Sequence, residues 1–423
     1  MGSNLVALPS ACQVGLEVAQ TSCQACLREL THLRFTSPQT IRGFTSSAAV
    51  HEAQSHHVGS CVPLHRPLRD GRWPRESTMP NMHHHFVALL SKINPPAERV
   101  SLVATLVGEV RDWLRDHAFP TKPPHTQLSG SYSRHTAIEM IPDVDVLLFV
   151  PDDQLERTPN AVLVQVRGVL QDYPAAVINT EGQRRSVRLE LPADDLHLDI
   201  VPAAAENGLD HALKVPDRAQ EEWIQSDPLG YAARLTDVNQ ANGDKLAPLI
   251  KAVKAWRDEQ MERRRPKSYV LEVMLLYAVE DGDLVLCDRS MAENVRDSFV
   301  YITDKYIDLM DSGTESPRIP DPQIPGHFIT RGWERSHFET FMRRAREARR
   351  AAERAVVAQD EAAASQEWKR VFGSRWPSED DVKRAIREEA AAHQPGTSKI
   401  APSGRIIGGP AVIATRATRF HGA

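Results

Sequence analysis

No apolar run in the chain approaches the roughly 20 residues that a bilayer-spanning helix needs, so nothing here reads as a membrane anchor. The N-terminus lacks the charged-then-apolar pattern of a secretory signal, and the expected location is cytoplasmic. Five cysteines, an odd number in 423 residues, make no disulfide framework. Four of them lie early, and Cys23-x-x-Cys26 lacks the second spaced pair that would complete a zinc site. Basic excess is also missing. The formal net charge is −5, which disfavours a dedicated nucleic-acid binder while leaving room for a local basic patch. Residues 1–80 contain no lysine, few acids and no sustained periodicity. That stretch fits a disordered extension, an organelle transit peptide, or a start placed too far upstream. The last is the favoured expectation, with Met79 or Met82 as the true beginning.

What is present is concentrated at residues 128–150. Leu128-Ser129-Gly130-Ser131-Tyr132-Ser133 ends a short apolar stretch and opens a helix. Backbone N–H groups at such a corner favour phosphate, and glycine lets a ligand approach the main chain closely. Ser131 and Ser133 add hydroxyl donors. After a turn at Pro142, Asp143-Val144-Asp145-Val146-Leu147-Leu148-Phe149-Val150 reads as a core strand with both aspartates on one face. Adjacent carboxylates on a buried strand repel unless a divalent cation offsets them. A third carboxylate follows. Val187, Leu189 and Leu191 alternate on one strand, and Leu196-His197-Leu198-Asp199-Ile200 puts His197 and Asp199 on one face of the next. A phosphate cradle beside three carboxylates points to metal-assisted chemistry on a nucleotide.

Gly130-Ser131-x-x-Arg134-x-Thr136, then Asp143-x-Asp145, then the isolated Asp199 resembles the nucleotidyltransferase superfamily of DNA polymerase beta, the CCA-adding enzymes and the oligoadenylate synthases. Leu213-Lys214-Val215-Pro216-Asp217-Arg218, Trp223, Asp227-Pro228, Lys254-Ala255-Trp256 and Lys267-Ser268-Tyr269-Val270-Leu271-Glu272 are similar to the bacterial relatives of cyclic GMP–AMP synthase. So is the Trp368, Phe372-Gly373, Trp376-Pro377 pattern. These relatives are the CD-NTases, or SMODS nucleotidyltransferases, of CBASS antiphage defence, and the resemblance covers about residues 85–390. It implies an enzyme that makes a cyclic di- or trinucleotide from nucleoside triphosphates, ATP first. It also implies two Mg2+ ions (or Mn2+) held by Asp143, Asp145 and Asp199, with Asp199 facing the attacking hydroxyl. The nucleotide set becomes Gly130, Ser131, Ser133, Arg134, Lys254 and Ser268, with Lys251 as the fallback for Lys254. A regulatory protein or phage-linked activator is a further implied partner. Ring closure rests on the resemblance alone. Extension of an RNA end, transfer to another acceptor, and an inactive nucleotide sensor are the alternatives.

The expected fold is α+β: a polymerase beta-like lobe of mixed sheet and covering helices, a helical second lobe, and the active site in the cleft between. The boundaries are 1–80 for the extension, 81–205 for the catalytic core, 206–393 for the helical lobe and 394–423 for a partly ordered tail. His83-His84-His85 reads as a polar helix start. Asn94-Pro95-Pro96 reads as a helix entry capped by Asn94, and Val100, Val103, Val107, Val110 and Leu114 then recur at helical spacing. Residues 159–172 suggest a covering helix and Ala175–Thr180 a strand. The chain after Asp199 reads as mainly helical, with Ser268 as an N-cap and Glu272 paired. Residues 315–327 read as a proline-rich linker or surface loop. Phe338–Phe372 reads as a long, highly charged helical stretch, whose Arg343–Arg350 cluster is a solvated face in preference to a contact for nucleic acid or a partner.

Overall fold

Apolar alternation and helical periodicity sort the chain into two hydrophobic cores. The computed structural model describes residues 80–392 apart from 140–142, 175, 180–182, 262–264 and 287–289, together with two short strands beyond. These described residues belong to one compact unit, Pro63–Ala423. The expectations for residues 1–80, for the early cysteines and for the turn at Pro142 lie outside the described residues. No described helix is long and apolar enough to cross a membrane.

In chain order, α1 (His83–Ile93) and α2 (Ala97–Asp116) precede β1 (Thr126–Leu128), a four-residue turn of helix α3 (Gly130–Ser133) and β2 (Asp143–Phe149). Then come α4 (Pro159–Leu170), β3 (Val177–Asn179), β4 (Val187–Leu191) and β5 (Leu196–Ala203). The sheet order is β1-β2-β5-β4-β3, with β2 and β5 parallel and the other pairs antiparallel. One face carries Val144, Val146, Leu148, Leu189, Leu198 and Ile200 and is covered by Val103, Val107, Val110 and Leu114 of α2 and by α4. Val100, grouped with that helical row in the sequence, is instead 48% exposed.

The opposite face is only half covered. A hairpin of β6 (Leu213–Asp217) and β7 (Glu222–Ser226) lays Leu213 and Val215 on Leu147, Phe149 and Ala203. The cover ends there, and the same face continues into Asp143, Asp145, His197 and Asp199. The polar row is therefore what the hairpin leaves open. This hairpin departs from the helical reading of the chain after Asp199.

Helices α5 (Pro228–Ala241), α6 (Leu246–Gln260), α7 (Ser268–Glu280), α8 (Met291–Lys305), α9 (Ile307–Ser312), α10 (Arg335–Val356), α11 (Glu361–Phe372) and α12 (Glu379–Ala392) build the second core. The stretch Phe338–Phe372 is two helices, because Asp360 starts α11 by accepting from the Ala363 N–H. Ala345, Ala348, Ala352 and Ala355 face inward on α10. Their small side chains let helices lie close. Helix α1 packs here too, placing Phe86 against Trp368, with ring centroids 5.0 Å apart. Asn94 is no N-cap. The paired prolines keep the chain extended, α2 starts after Pro96, and Asn94 Oδ1 accepts from Lys251 Nζ at 2.8 Å. Beyond α12, β8 (Ser398–Ile400) and β9 (Ile406–Gly408) pair antiparallel.

Candidate active site

Gly130 sits where β1 turns into α3 with φ +64°. A Cβ there would lie 2.0 Å from Asp145 Oδ2, so any other residue would have to push that carboxylate aside as well as adopt a left-handed backbone. The Ser129 N–H donates to the Asp145 carbonyl at 2.8 Å, which pins the corner to β2. Tyr132 and Ala137 bury into the sheet core while Ile138 enters the helical one. The corner is thus a joint between the lobes.

The three aspartates share the open face. Registry puts Asp145 beside Asp199 and Asp143 beside His197. Asp143 is exposed and Asp199 is buried, while Asp145 is exposed over part of its surface but has its carboxyl tucked under the Gly130 corner. Packing around Asp145 pushes its carboxyl above the usual range, with repulsion from Asp199 and Asp143 adding to the effect against Arg134 and Arg188. Hard carboxylate oxygens are the kind that Mg2+ or Mn2+ takes, but among the described residues only His83, His84 and Glu389 bring three ligand atoms within 4.8 Å of one another, so the three aspartates are not drawn into so close a cluster in this conformation. A cation already stands among them. Arg188 on β4 donates Nε to Asp199 Oδ1 at 3.0 Å and Nη2 to Asp199 Oδ2 at 2.7 Å. Its Nη2 also lies 3.0 Å from Asp143 Oδ1, and His197 Nδ1 lies 3.2 Å from that same oxygen. Neither Arg188 nor His197 was singled out from the sequence as a site residue.

The expected phosphate ligands divide. Gly130 and Ser131 lie at the corner over Asp145. Ser133 turns its hydroxyl back onto the Gly130 carbonyl at 3.0 Å. Arg134 and Lys254 do not face the cleft in this conformation. Arg134 Nε donates to Glu272 Oε2 at 2.8 Å and packs its guanidinium near Tyr231 and Tyr269. Lys254 is 1% exposed, donating to the Thr136 carbonyl at 2.6 Å and to Glu272 Oε1 at 3.2 Å. Here it forms an internal link between the corner and the helical lobe. Burial alone would raise the Glu272 carboxyl; Arg134 and Lys254 overturn that and hold it below its ordinary value. Glu272 is paired, as the sequence reading had it. Lys251, the fallback, is bonded to Asn94. Ser268 is the first residue of α7 rather than its cap, and its hydroxyl accepts from Arg257 Nη1 at 2.9 Å.

A cavity of about 1180 Å3 is walled by the hairpin and by the segment read as a linker, with Arg184, Arg185, Lys267, Tyr269, Arg331 and Trp333 in its lining. None of the three aspartates lines it. The lining comes near them only next to Arg185, where the following residue, Ser186, has its hydroxyl 3.5 Å from Asp199 Oδ1. Lys267 is the exposed cation beside Ser268, and the sequence reading passed over it.

Comparison with known proteins gives one consistent answer. Residues 80–239 match the family model described as the Second Messenger Oligonucleotide or Dinucleotide Synthetase domain. A cyclic AMP-AMP-AMP synthase from an Acinetobacter species is 28% identical over 322 residues, covering 73% of this chain and 89% of that protein. Escherichia coli MS115-1 CdnC, solved with HORMA-deltaN, superposes with a TM-score of 0.56 at 19% identity, covering 70% of this chain and 98% of the other. The Vibrio cholerae cyclic AMP-GMP synthase DncV gives 0.55 at 15% identity, covering 71% and 98%. These likenesses agree with the expected α+β, two-lobed nucleotidyltransferase fold.

Proposed function

We propose, from the match of residues 80–239 to the second messenger oligonucleotide or dinucleotide synthetase domain and the likeness to a cyclic AMP-AMP-AMP synthase, that this chain is a nucleotidyltransferase that joins nucleoside triphosphates into a cyclic di- or trinucleotide messenger for antiphage defence. The observation that carries the reading is the row of Asp143, Asp145 and Asp199 on one sheet face, beneath a corner where Gly130 lets the main chain approach the Asp145 carboxylate. Those carboxylates would hold two divalent ions, Mg2+ first, which supply charge neutralisation of the triphosphate and activation of the attacking hydroxyl. Gly130 and Ser131 bring the main chain against the phosphates. A sugar hydroxyl oxygen bonds to the α-phosphorus, the bond to the β-phosphate oxygen breaks, and pyrophosphate leaves. The hydroxyl proton passes to a carboxylate oxygen or to water. Repeating the step on the chain's own 5′ end closes the ring.

ATP is the proposed substrate, on the likeness to a cyclic AMP-AMP-AMP synthase. A regulatory protein partner is proposed on the likeness to CdnC, which was solved with HORMA-deltaN. Arginines of α10 favour this reading over an RNA-extending enzyme. Arg343 and Arg344 pair with Glu347, Arg346 with Asp311, and Arg349 with Asp304 and Glu353. Most of that cluster is therefore not offered to nucleic acid.

The test is to incubate the full chain with Mg2+ and each set of nucleoside triphosphates and to weigh the products by mass spectrometry after phosphatase treatment. A phosphatase-resistant cyclic product is expected, absent with EDTA. Only phosphatase-sensitive linear products would refute ring closure.

A further inference from the structure

Three carboxylates on one sheet face should push the strands apart when no divalent ion is bound. The fold answers this with Arg188. Strand pairing sets it opposite Asp199 on one side, and Asp199 stands beside Asp145 on the other. The guanidinium fork takes both Asp199 oxygens, and the same Nη2 that holds Oδ2 at 2.7 Å reaches Asp143 Oδ1 at 3.0 Å. This differs from an exposed surface pair. Asp199 is buried, and the planar two-point match is the strong form of an arginine–carboxylate contact. An ion using oxygens of Asp143 and Asp199 together needs the place where that nitrogen lies, and it would be repelled by the guanidinium charge.

We propose that Arg188 is a built-in counter-ion that occupies the Asp143–Asp199 side of the site and keeps divalent ions weakly bound until a nucleoside triphosphate arrives. The proposal rests on the reading of the three aspartates as the ion-binding carboxylates. The triphosphate changes the balance in two ways. Its oxygens complete a coordination shell that carboxylates alone fill poorly for Mg2+. Its negative charge also offers the guanidinium another acceptor. Ion and nucleotide therefore bind cooperatively, and the coupling works equally in both directions. Arg188 is a positioning residue in this account, acting through Asp143 and Asp199.

The experiment follows Mn2+ binding to the full chain by electron paramagnetic resonance, with and without a non-hydrolysable ATP analogue, allowing for the ion held by the analogue itself. Wild type should bind Mn2+ about tenfold or more tightly with the analogue than without it. Arg188→Gln should raise the affinity for Mn2+ alone by about tenfold and so shrink the coupling. A merely structural arginine would not have that effect. A variant that keeps the wild-type thermal melt yet binds Mn2+ no more tightly overturns the proposal. If Arg188→Gln fails to fold, labelled-arginine nuclear magnetic resonance on wild type decides. The Arg188 Nε–H signal should shift with Mg2+ and analogue together but not with Mg2+ alone, and an unmoved signal overturns the proposal. Nucleotide-dependent Mn2+ binding that persists in Asp145→Asn would instead sink the aspartate reading itself.

Discussion

At Gly130 two constraints coincide: a left-handed φ of +64° and an Asp145 oxygen 2.0 Å from where a Cβ would stand. Gly130→Ala should therefore displace Asp145 while leaving the distant cores intact. Turnover is expected to fall about 100-fold, since a shift near 1 Å in a reacting group costs that much. Far-ultraviolet circular dichroism should be unchanged, and a variant with wild-type turnover would contradict the assignment. The aspartates were legible from the sequence because period-two alternation fixes which residues share a strand face. Arg188 was not. Val187-Arg188-Leu189-Glu190-Leu191 looks like any strand with a solvated side, and the short connection to the next strand suggests a hairpin without fixing the register that sets Arg188 opposite Asp199. The internal bonding of Lys254 was not legible either. Its partner Glu272 is 18 residues away on another helix, and their pairing exists only once α6 and α7 pack.

The sequence showed most helices and strands of the catalytic lobe at nearly their true bounds, because each has one clear apolar face. Elements whose identity depends on a neighbour were harder. The β6–β7 hairpin contains Pro216, which weakens a strand reading but is tolerated in a two-stranded ribbon, where both strands are edges. The segment 315–327 read as a linker or surface loop because prolines dominate it, and it carries no helix or strand, but that reading did not show that part of it walls the large cavity. Helix α1 precedes the catalytic lobe in sequence but packs among Trp368, Phe372 and Trp376 of the helical one. Trp368 is fully buried. Trp368→Ala should lower stability by about 3–5 kcal/mol through lost burial and the cavity left behind. Urea denaturation would measure this, and a midpoint close to wild type would show that α1 is held elsewhere.

Over the whole molecule, the contact that ties the sheet-side corner to the helical lobe is the buried cluster of Glu272 with Arg134, Lys254 and Thr136. Glu272 titrates below its ordinary value in the folded protein, so its contribution is fully present above the ordinary carboxylate range. That contribution is lost as pH falls through the depressed folded value. Glu272→Gln should cost about 3 kcal/mol at neutral pH by leaving two buried cations unpaired. The gap in melting temperature between wild type and variant should close in acid. A gap that stayed constant with pH would mean that Glu272 is not ionised in the fold.

The central claim is that Asp143, Asp145 and Asp199 hold divalent ions opposite a nucleotide's phosphates. The most direct measurement is anomalous diffraction from crystals grown with Mn2+ and a non-hydrolysable ATP analogue. The account expects manganese peaks within coordination distance, about 2.2 Å, of oxygens from all three aspartates, with the triphosphate against Gly130 and Ser131. Nucleotide bound with its phosphates elsewhere, or manganese bound away from those carboxylates, would contradict it.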